Sequence, residues 1–335
     1  MRQSLEQLRN PGHVLANCHH WLKTDGSLVV SVQNIRHHSV VRGLVDGNWS
    51  YEPDGLLDEA HARCMTRREL QKLLFRSGYQ IDVLEAIPGD GYREWQQSGC
   101  PGNLDFGRIQ ITGLTTDEAE EFFVFQYLAK ASKIRRPEYG LTSIIIVTHN
   151  QLAYTELCIS SIIAKTDGPY EFVFVDNAST DGTLDYLRSI SGAKVISNSE
   201  NRGFAPAVNQ GIQFASGKQI LLLNNDTVVT TGWLEGLLES LYDRPDTGLV
   251  GPVSNNVSGP QKIAVTYSEL TSLDGFAWDL RVKRKLTETD RLVGFCILLR
   301  RSVIDDIGLF DEQFRVGGFE DDDLCRRAID AGYKV

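Results

Sequence analysis

The chain has 335 residues, 41% apolar and 23% charged, which is enough for about two packed domains and unlike a disordered or fibrous chain. Its net charge of −10 is uneven: residues 1–137 carry 16 basic and 17 acidic side chains, and residues 138–335 carry 18 and 27. The acidic second half leaves no basic footprint for nucleic acid, no apolar run approaches the roughly 18 residues a membrane span requires, and "MRQSLEQLRN" lacks the apolar core of a signal peptide, so a soluble cytoplasmic protein is expected.

In chain order, Asn10-Pro11 offers an N-cap with proline at N1 for a helix to about Leu22. "KTDG" turns, and "SLVVSV" reads as a short buried strand. Thr66 and Glu69 form a capping box at the head of "RRELQKLLFRSG", which closes on Gly78 before the strand "YQIDVL". Glycine, proline and polar residues mark a loop from about Ile87 to Gly107. "RIQITG" then reads as a strand, "TTDEAEEFFVFQYLAKAS" as an amphipathic helix, and "KIRRPEYG" as a linker. The boundaries expected are therefore 1–137, ending in a helical linker, and 138–335.

From Leu141 the pattern is regular α/β. "SIIIVT", "EFVFVD", "KVISN" and "QILLLNN" are strands, with helices near Leu152 to Ala164, Leu184 to Ile190 and Ala205 to Ala215 between them, which predicts a mostly parallel sheet. Ligands of such sheets sit at the carboxyl ends of the strands. Polar residues gather there: Thr148, His149 and Asn150, then Asp176-Asn177, then Asn201-Arg202-Gly203, then Asn224-Asn225-Asp226. Six scattered cysteines without a CxxC pair read as reduced packing residues, and seven histidines show no ligand spacing.

The acidic run Glu320 to Asp323 opens the last helix. Carboxylates in a first turn complement the helix dipole, and Asp322 and Asp323 have Arg326 and Arg327 four residues on. Asp321 instead shares the apolar stripe of Leu324, Cys325 and Ala328. An acid on that stripe needs another reason.

"SIIIVTHN", "FVFVDNASTDGT", "NRGFAPAVNQGI", "LLLNNDT", "GFCILLRRSVIDDIGLFDEQF" and "GFEDDDLCRRAIDAGY" together resemble, in this order, the motifs of family 2 glycosyltransferases. The resemblance covers residues 141–335. It implies a Rossmann-like, nucleotide-sugar-binding A-type fold and inverting transfer from a nucleotide-diphosphate sugar to a glycan or lipid-linked acceptor. Bacterial polysaccharide assembly, with peripheral contact at the inner membrane face, is the setting it suggests. The diphosphate leaving group calls for a hard divalent ion, magnesium or manganese, held by carboxylate oxygen. Asp226 in the DxD-like "NND" is the implied ligand, with Asn224 acting through its carbonyl or through water; the alternative for Asp226 is a turn-forming acid. Asp176 resembles the residue that meets base or ribose, against an Asx-turn, while Asp181 reads as a helix cap. Thr148, Asn150, Asn201, Arg202, Gly203, Asn209 and Asn225 complete the implied nucleotide-sugar contacts, although Arg202 also reads as a surface arginine. Gly294 and Phe295 resemble the acceptor-side wall, against a plain buried strand. The "ED" pair supplies the base that takes the acceptor proton: Asp321 first, Glu320 second.

"LEQLRNPGHVLANCHHWLKTDGSLVVSVQN" and the sequence to "RSGYQI" resemble the C-terminal half of an S-adenosylmethionine-dependent methyltransferase, implying a partial class I α/β domain. The glycine-rich cofactor loop is missing from it, so no S-adenosylmethionine binding is expected. Both ends read as cut. Two rivals remain: a methyltransferase whose second domain only binds sugar, and a non-catalytic sugar-nucleotide binding module. A nucleotidyltransferase is disfavoured, because "VTHNQLAY" stands where its glycine-rich loop belongs.

Overall fold

The computed structural model describes residues 5–53, 55–134, 137–283, 286–314 and 318–335. The chain splits into two compact units, Met1–Arg136 and Pro137–Val335.

In the first unit, α1 (Pro11–Trp21) starts on Asn10, whose Oδ1 accepts from His13 N. It is followed by β1 (Ser27–Gln33), α2 (His38–Val45), α3 (Arg67–Arg76) and β2 (Tyr79–Pro88). Next come α4 (Tyr92–Gln97), the paired dipeptides β3 (Leu104–Asp105) and β4 (Gln110–Ile111), α5 (Thr116–Glu120) and β5 (Val124–Lys133). The sheet order is β1-β5-β2, with β5 antiparallel to both neighbours. The long helix expected over 115–132 is thus corrected. A capping box between Thr115 and Glu118 opens only one turn of helix, after which Tyr127, Ala129 and Ala131 are buried at period two while Lys130 is exposed. A central strand satisfies two neighbours, and that tertiary gain overrides helical propensity. "RIQITG" shrinks to the two residues of β4, and the expected linker 133–140 lies partly outside the described residues. At α3 the Thr66 hydroxyl accepts from Glu69 N, but the Glu69 carboxylate pairs with Lys72.

Glu6 is 1% exposed, one oxygen accepting from Gln33 N and the other 3.8 Å from His61 Nε2. Burial pushes its carboxyl up to about 7, against the lowering effect of the Gln33 N–H and helped by the charge of Asp58. The folded state therefore keeps a proton that the unfolded chain releases near 4.5. The stability this contributes is complete below that pH and is lost as pH rises through 7. Glu6→Gln should abolish this fall, which amounts to about 1–3 kcal/mol. Urea melts of the full chain at pH 4.5 to 8 check it; identical pH slopes for wild type and variant would refute it.

The second unit runs β6 (Thr142–Thr148), α6 (Leu152–Lys165), β7 (Tyr170–Asn177), α7 (Thr183–Ser189), β8 (Lys194–Asn198), α8 (Phe204–Phe214) and β9 (Gln219–Leu223). It continues with α9 (Trp233–Leu241), β10 (Leu249–Val250), α10 (Leu270–Val282), β11 (Cys296–Arg300), α11 (Arg301–Ile307) and α12 (Glu320–Asp330). The sheet order is β10-β11-β9-β6-β7-β8, parallel from β9 to β8 and antiparallel at β11. Both faces are covered, which is why the strands read as unbroken apolar runs. Ile145, Val173 and Leu222 pack with α8, α11 and α12, whereas Ile144, Ile146 and Phe174 pack with α6, α7 and α9. Helix α8 lies so close to the sheet that a β-carbon on Gly211 would sit 2.4 Å from Ile145 Cγ2. All six cysteines are free; Cys158, Cys296 and Cys325 are buried, but Cys64 is exposed and so is not a packing residue. Among the described residues no helix is long and apolar enough to cross a membrane.

Candidate active site

The order of strands reverses between β6 and β9, since β7 and β8 continue to one side of β6 and β9 lies on the other. The carboxyl edge at such a switch point is where an open α/β sheet binds ligands. Among the described residues of this unit, four non-glycine residues have left-handed backbones: Asn150 (φ 59°), Gln151 (67°), Ala178 (62°) and Phe319 (81°). Each costs about 1–2 kcal/mol, and such strain persists where surrounding structure over-determines it. Three of the four stand at the ends of β6 and β7, and the fourth precedes the acidic run.

Side chains lock these loops together. Asp176 is fully buried: one oxygen accepts from the Thr148 hydroxyl at 3.1 Å and the other from Ser179 N at 3.0 Å. Thr148 is likewise buried, at 1% exposure, so the two residues expected at the nucleotide are bonded to each other at the ends of β6 and β7. Through Ser179 N, Asp176 also pins the loop that follows β7. Asn150 N donates to Ser179 Oγ, and Asn150 Oδ1 accepts from Thr180 N. Asp181 caps across the gap, accepting from Leu152 N at the start of α6 and from Thr183 N and its hydroxyl.

At the next strand end Asn201 Oδ1 accepts from Gly203 N, while Arg202 is exposed and meets no acid among the described residues. Gly203 (φ 87°) is the N-cap of α8. Asn209 is buried within α8, its Oδ1 accepting from Phe310 N and its Nδ2 donating to Phe310 O and Glu312 Oε1. These bonds fasten α8 to the segment after α11.

The turn after β9 meets the acidic run through one dipeptide. Because β11 runs antiparallel to β9, with Cys296 opposite Leu223, its leading residues lie beside Asn224. Asn224 N donates to Phe295 O at 2.9 Å, and Gly294 N donates to Asp321 Oδ2 at 2.7 Å. The second Asp321 oxygen accepts from Asp322 N at 2.9 Å. Asp226 is exposed with no ion pair among the described residues, and Asn225 Nδ2 donates to the Thr155 hydroxyl. Burial pushes the Cys158 thiol up to about 12, so beneath this turn it is a donor to Asn224 O and not a nucleophile. No group of three or more histidine, cysteine or acidic side chains able to hold a metal occurs among the described residues.

Within α12, Leu324, Cys325 and Ala328 are buried as the stripe predicts, and Asp321 is half-buried. Glu320 is deeper, and one oxygen accepts from Gly318 N. Asp323 pairs with Arg327 as expected. Asp322 does not pair with Arg326: it meets Arg291 Nε at 2.7 Å, and Arg326 pairs with Asp330. Local spacing loses here to a partner brought by the chain before β11. His149 and Asn177, named only as strand-end polar residues, join through His149 Nδ1 and Asn177 O, and Asn177 enters an amide network with Asn198 and Gln210 that sequence reasoning missed. The only signal for the last was polar residues at strand ends.

Residues 143–308 match the family described as glycosyl transferase family 2. Glycosyltransferase AglE of Haloferax volcanii is 28% identical over 199 residues, 58% of this chain and 62% of that protein. The N-acetylglucosaminyl-diphospho-decaprenol L-rhamnosyltransferase of Mycobacterium tuberculosis is 25% identical over 218 residues, 57% of this chain and 71% of that one. A solved mannosyltransferase of Pyrobaculum calidifontis, in complex with GDP-Man and Mn2+, is 23% identical with a TM-score of 0.45, covering 58% of this chain and 53% of that one. This chain thus spans less than two thirds of the Haloferax relative's length. Both sequence relatives are named as glycosyltransferases, and the segment that matches glycosyl transferase family 2 contains the switch-point edge from Thr148 to Phe295.

Proposed function

We propose that this chain is an inverting, metal-dependent glycosyltransferase that moves a sugar from a nucleotide-diphosphate sugar to a hydroxyl of a glycan or lipid-linked acceptor. The observation that carries the reading is the Gly294-Phe295 bridge, whose amide orients Asp321 and whose carbonyl holds the turn bearing Asp226. A base for the acceptor and an anionic ligand beside the leaving group are thereby tied to one strand start.

Asp321 is fixed by two backbone N–H groups and keeps lone pairs for a further proton. The acceptor oxygen forms its bond to the anomeric carbon while the bond to the diphosphate breaks, and the acceptor proton passes to Asp321. Arg202 and the amino end of α8 supply positive charge for the phosphates. Asp226 offers one free carboxylate, with Asn224 next to it in the turn. That donor set suits a hard ion which keeps waters and shares phosphate oxygens, and less so an ion held by protein alone. When bound, the ion neutralises charge on the departing diphosphate.

The mycobacterial relative, named for transfer to N-acetylglucosaminyl-diphospho-decaprenol, supports a lipid-diphosphate acceptor. For the first unit we retain a partial methyltransferase-like module that binds no S-adenosylmethionine. Its sheet, in which β5 lies between β1 and β2 and runs antiparallel to both, supports that reading. Thermal melts of the full chain with UDP, GDP and dTDP, each with and without manganese, test the main proposal. One nucleotide should raise the melting temperature only with metal; no shift with any of them would overturn it.

A further inference from the structure

Phe319 stands immediately before Glu320 and Asp321, as the N-cap of α12, with φ 81° and ψ −4° and no side-chain cap bond. Glycine is the default residue for such a backbone, and Gly318 beside it is also left-handed at φ 106°. The chain nevertheless places a bulky aromatic there. Its side chain is not buying core packing: Phe319 is 68% exposed and makes no ring contact among the described residues. Single exposed aromatics are common on protein surfaces. This one differs because it combines a strained backbone with a place two residues before Asp321, the carboxylate assigned to take the acceptor proton.

We infer that Phe319 is an acceptor platform: its ring stacks on the apolar C–H face of the acceptor sugar and holds the attacking hydroxyl over Asp321. The inference rests on the proposed glycosyltransferase reading. A pyranose presents axial C–H groups on one face and hydroxyls around its edge, so an aromatic face can bind the first and leave the second free. The residue acts on position, and Asp321 remains the group that handles the proton. Strain is a fitting signature, because an outlying backbone at an exposed aromatic brings no packing gain to offset its cost.

The test is saturation-transfer NMR of the full chain with methyl β-D-glucopyranoside, methyl α-L-rhamnopyranoside and methyl N-acetyl-β-D-glucosaminide. Each is added with manganese and the nucleotide diphosphate that shifts the melt. At least one glycoside should bind with saturation concentrated on the C–H groups of one ring face. Phe319→Gly should weaken it about tenfold, equal to about 1.4 kcal/mol, while Phe319→Trp holds affinity within about threefold. Phe319→Gly should also keep or raise the melting temperature, since glycine adopts this backbone freely; a loss of affinity then reflects the missing ring and not unfolding. Unchanged affinity in Phe319→Gly would overturn the inference, as would nucleotide binding by a wild type that takes none of the three glycosides. Absence of both nucleotide and glycoside binding would instead overturn the glycosyltransferase reading, and the platform with it.

Discussion

Asp321→Asn should lower sugar transfer by roughly 100-fold or more while nucleotide and metal bind as before. The substitution keeps the shape of the side chain but leaves one oxygen where two backbone amides now donate, Gly294 N and Asp322 N. A stability loss of about 1 kcal/mol should accompany it, too small to unfold the domain or to explain the loss of turnover. Asp322→Asn and Asp323→Asn break half-exposed pairs with Arg291 and Arg327 and should each cost about 1 kcal/mol or less, with turnover nearly kept. Glu320→Gln retains an acceptor for Gly318 N and should fall between these cases. The measurement is transfer to acceptor alongside hydrolysis of the donor, in the four variants. Retained transfer in Asp321→Asn, or its loss in Asp322→Asn, would show that a different carboxylate serves as base.

The second large effect belongs to Asp226→Asn. Ligand at about a hundred times its Kd adds close to 2.7 kcal/mol to the folded state, which for a unit of about 200 residues raises the melting temperature by roughly 5–10 °C. In wild type this shift should require manganese or magnesium. Asp226 is exposed and has no ion pair among the described residues, so the amide variant should lose the metal-dependent shift while its melting temperature without ligand stays within about a degree, as expected of a surface change. An undiminished metal requirement in the variant would remove Asp226 from the site.

Much of this was legible in order of residues alone. Period, length and strand-end polarity place β6 to β9 and their helices within a residue or two, because strands buried on both faces must be apolar throughout and helices between them must carry one apolar stripe. The acidic run, the strand-end asparagines and the ordered motifs likewise identify the edge that carries the candidate site. Three things were decided only by tertiary structure. The stretch 124–133 becomes a strand because β1 and β2 each lack a neighbour until it arrives, a demand that no local window contains. Asp322 turns to Arg291 and leaves Arg326 to Asp330, since helical spacing offers a partner but cannot exclude a closer one from a distant loop. Asp176 and Asn209 have the residue types of ligand contacts, and only the folded chain shows that they are also buried and bonded to Thr148, Ser179, Phe310 and Glu312. The same limit hid the bridge at Gly294-Phe295. Antiparallel pairing of β11 with β9 joins residues about seventy positions apart, and a sequence read along one dimension records which groups exist but not which of them face each other.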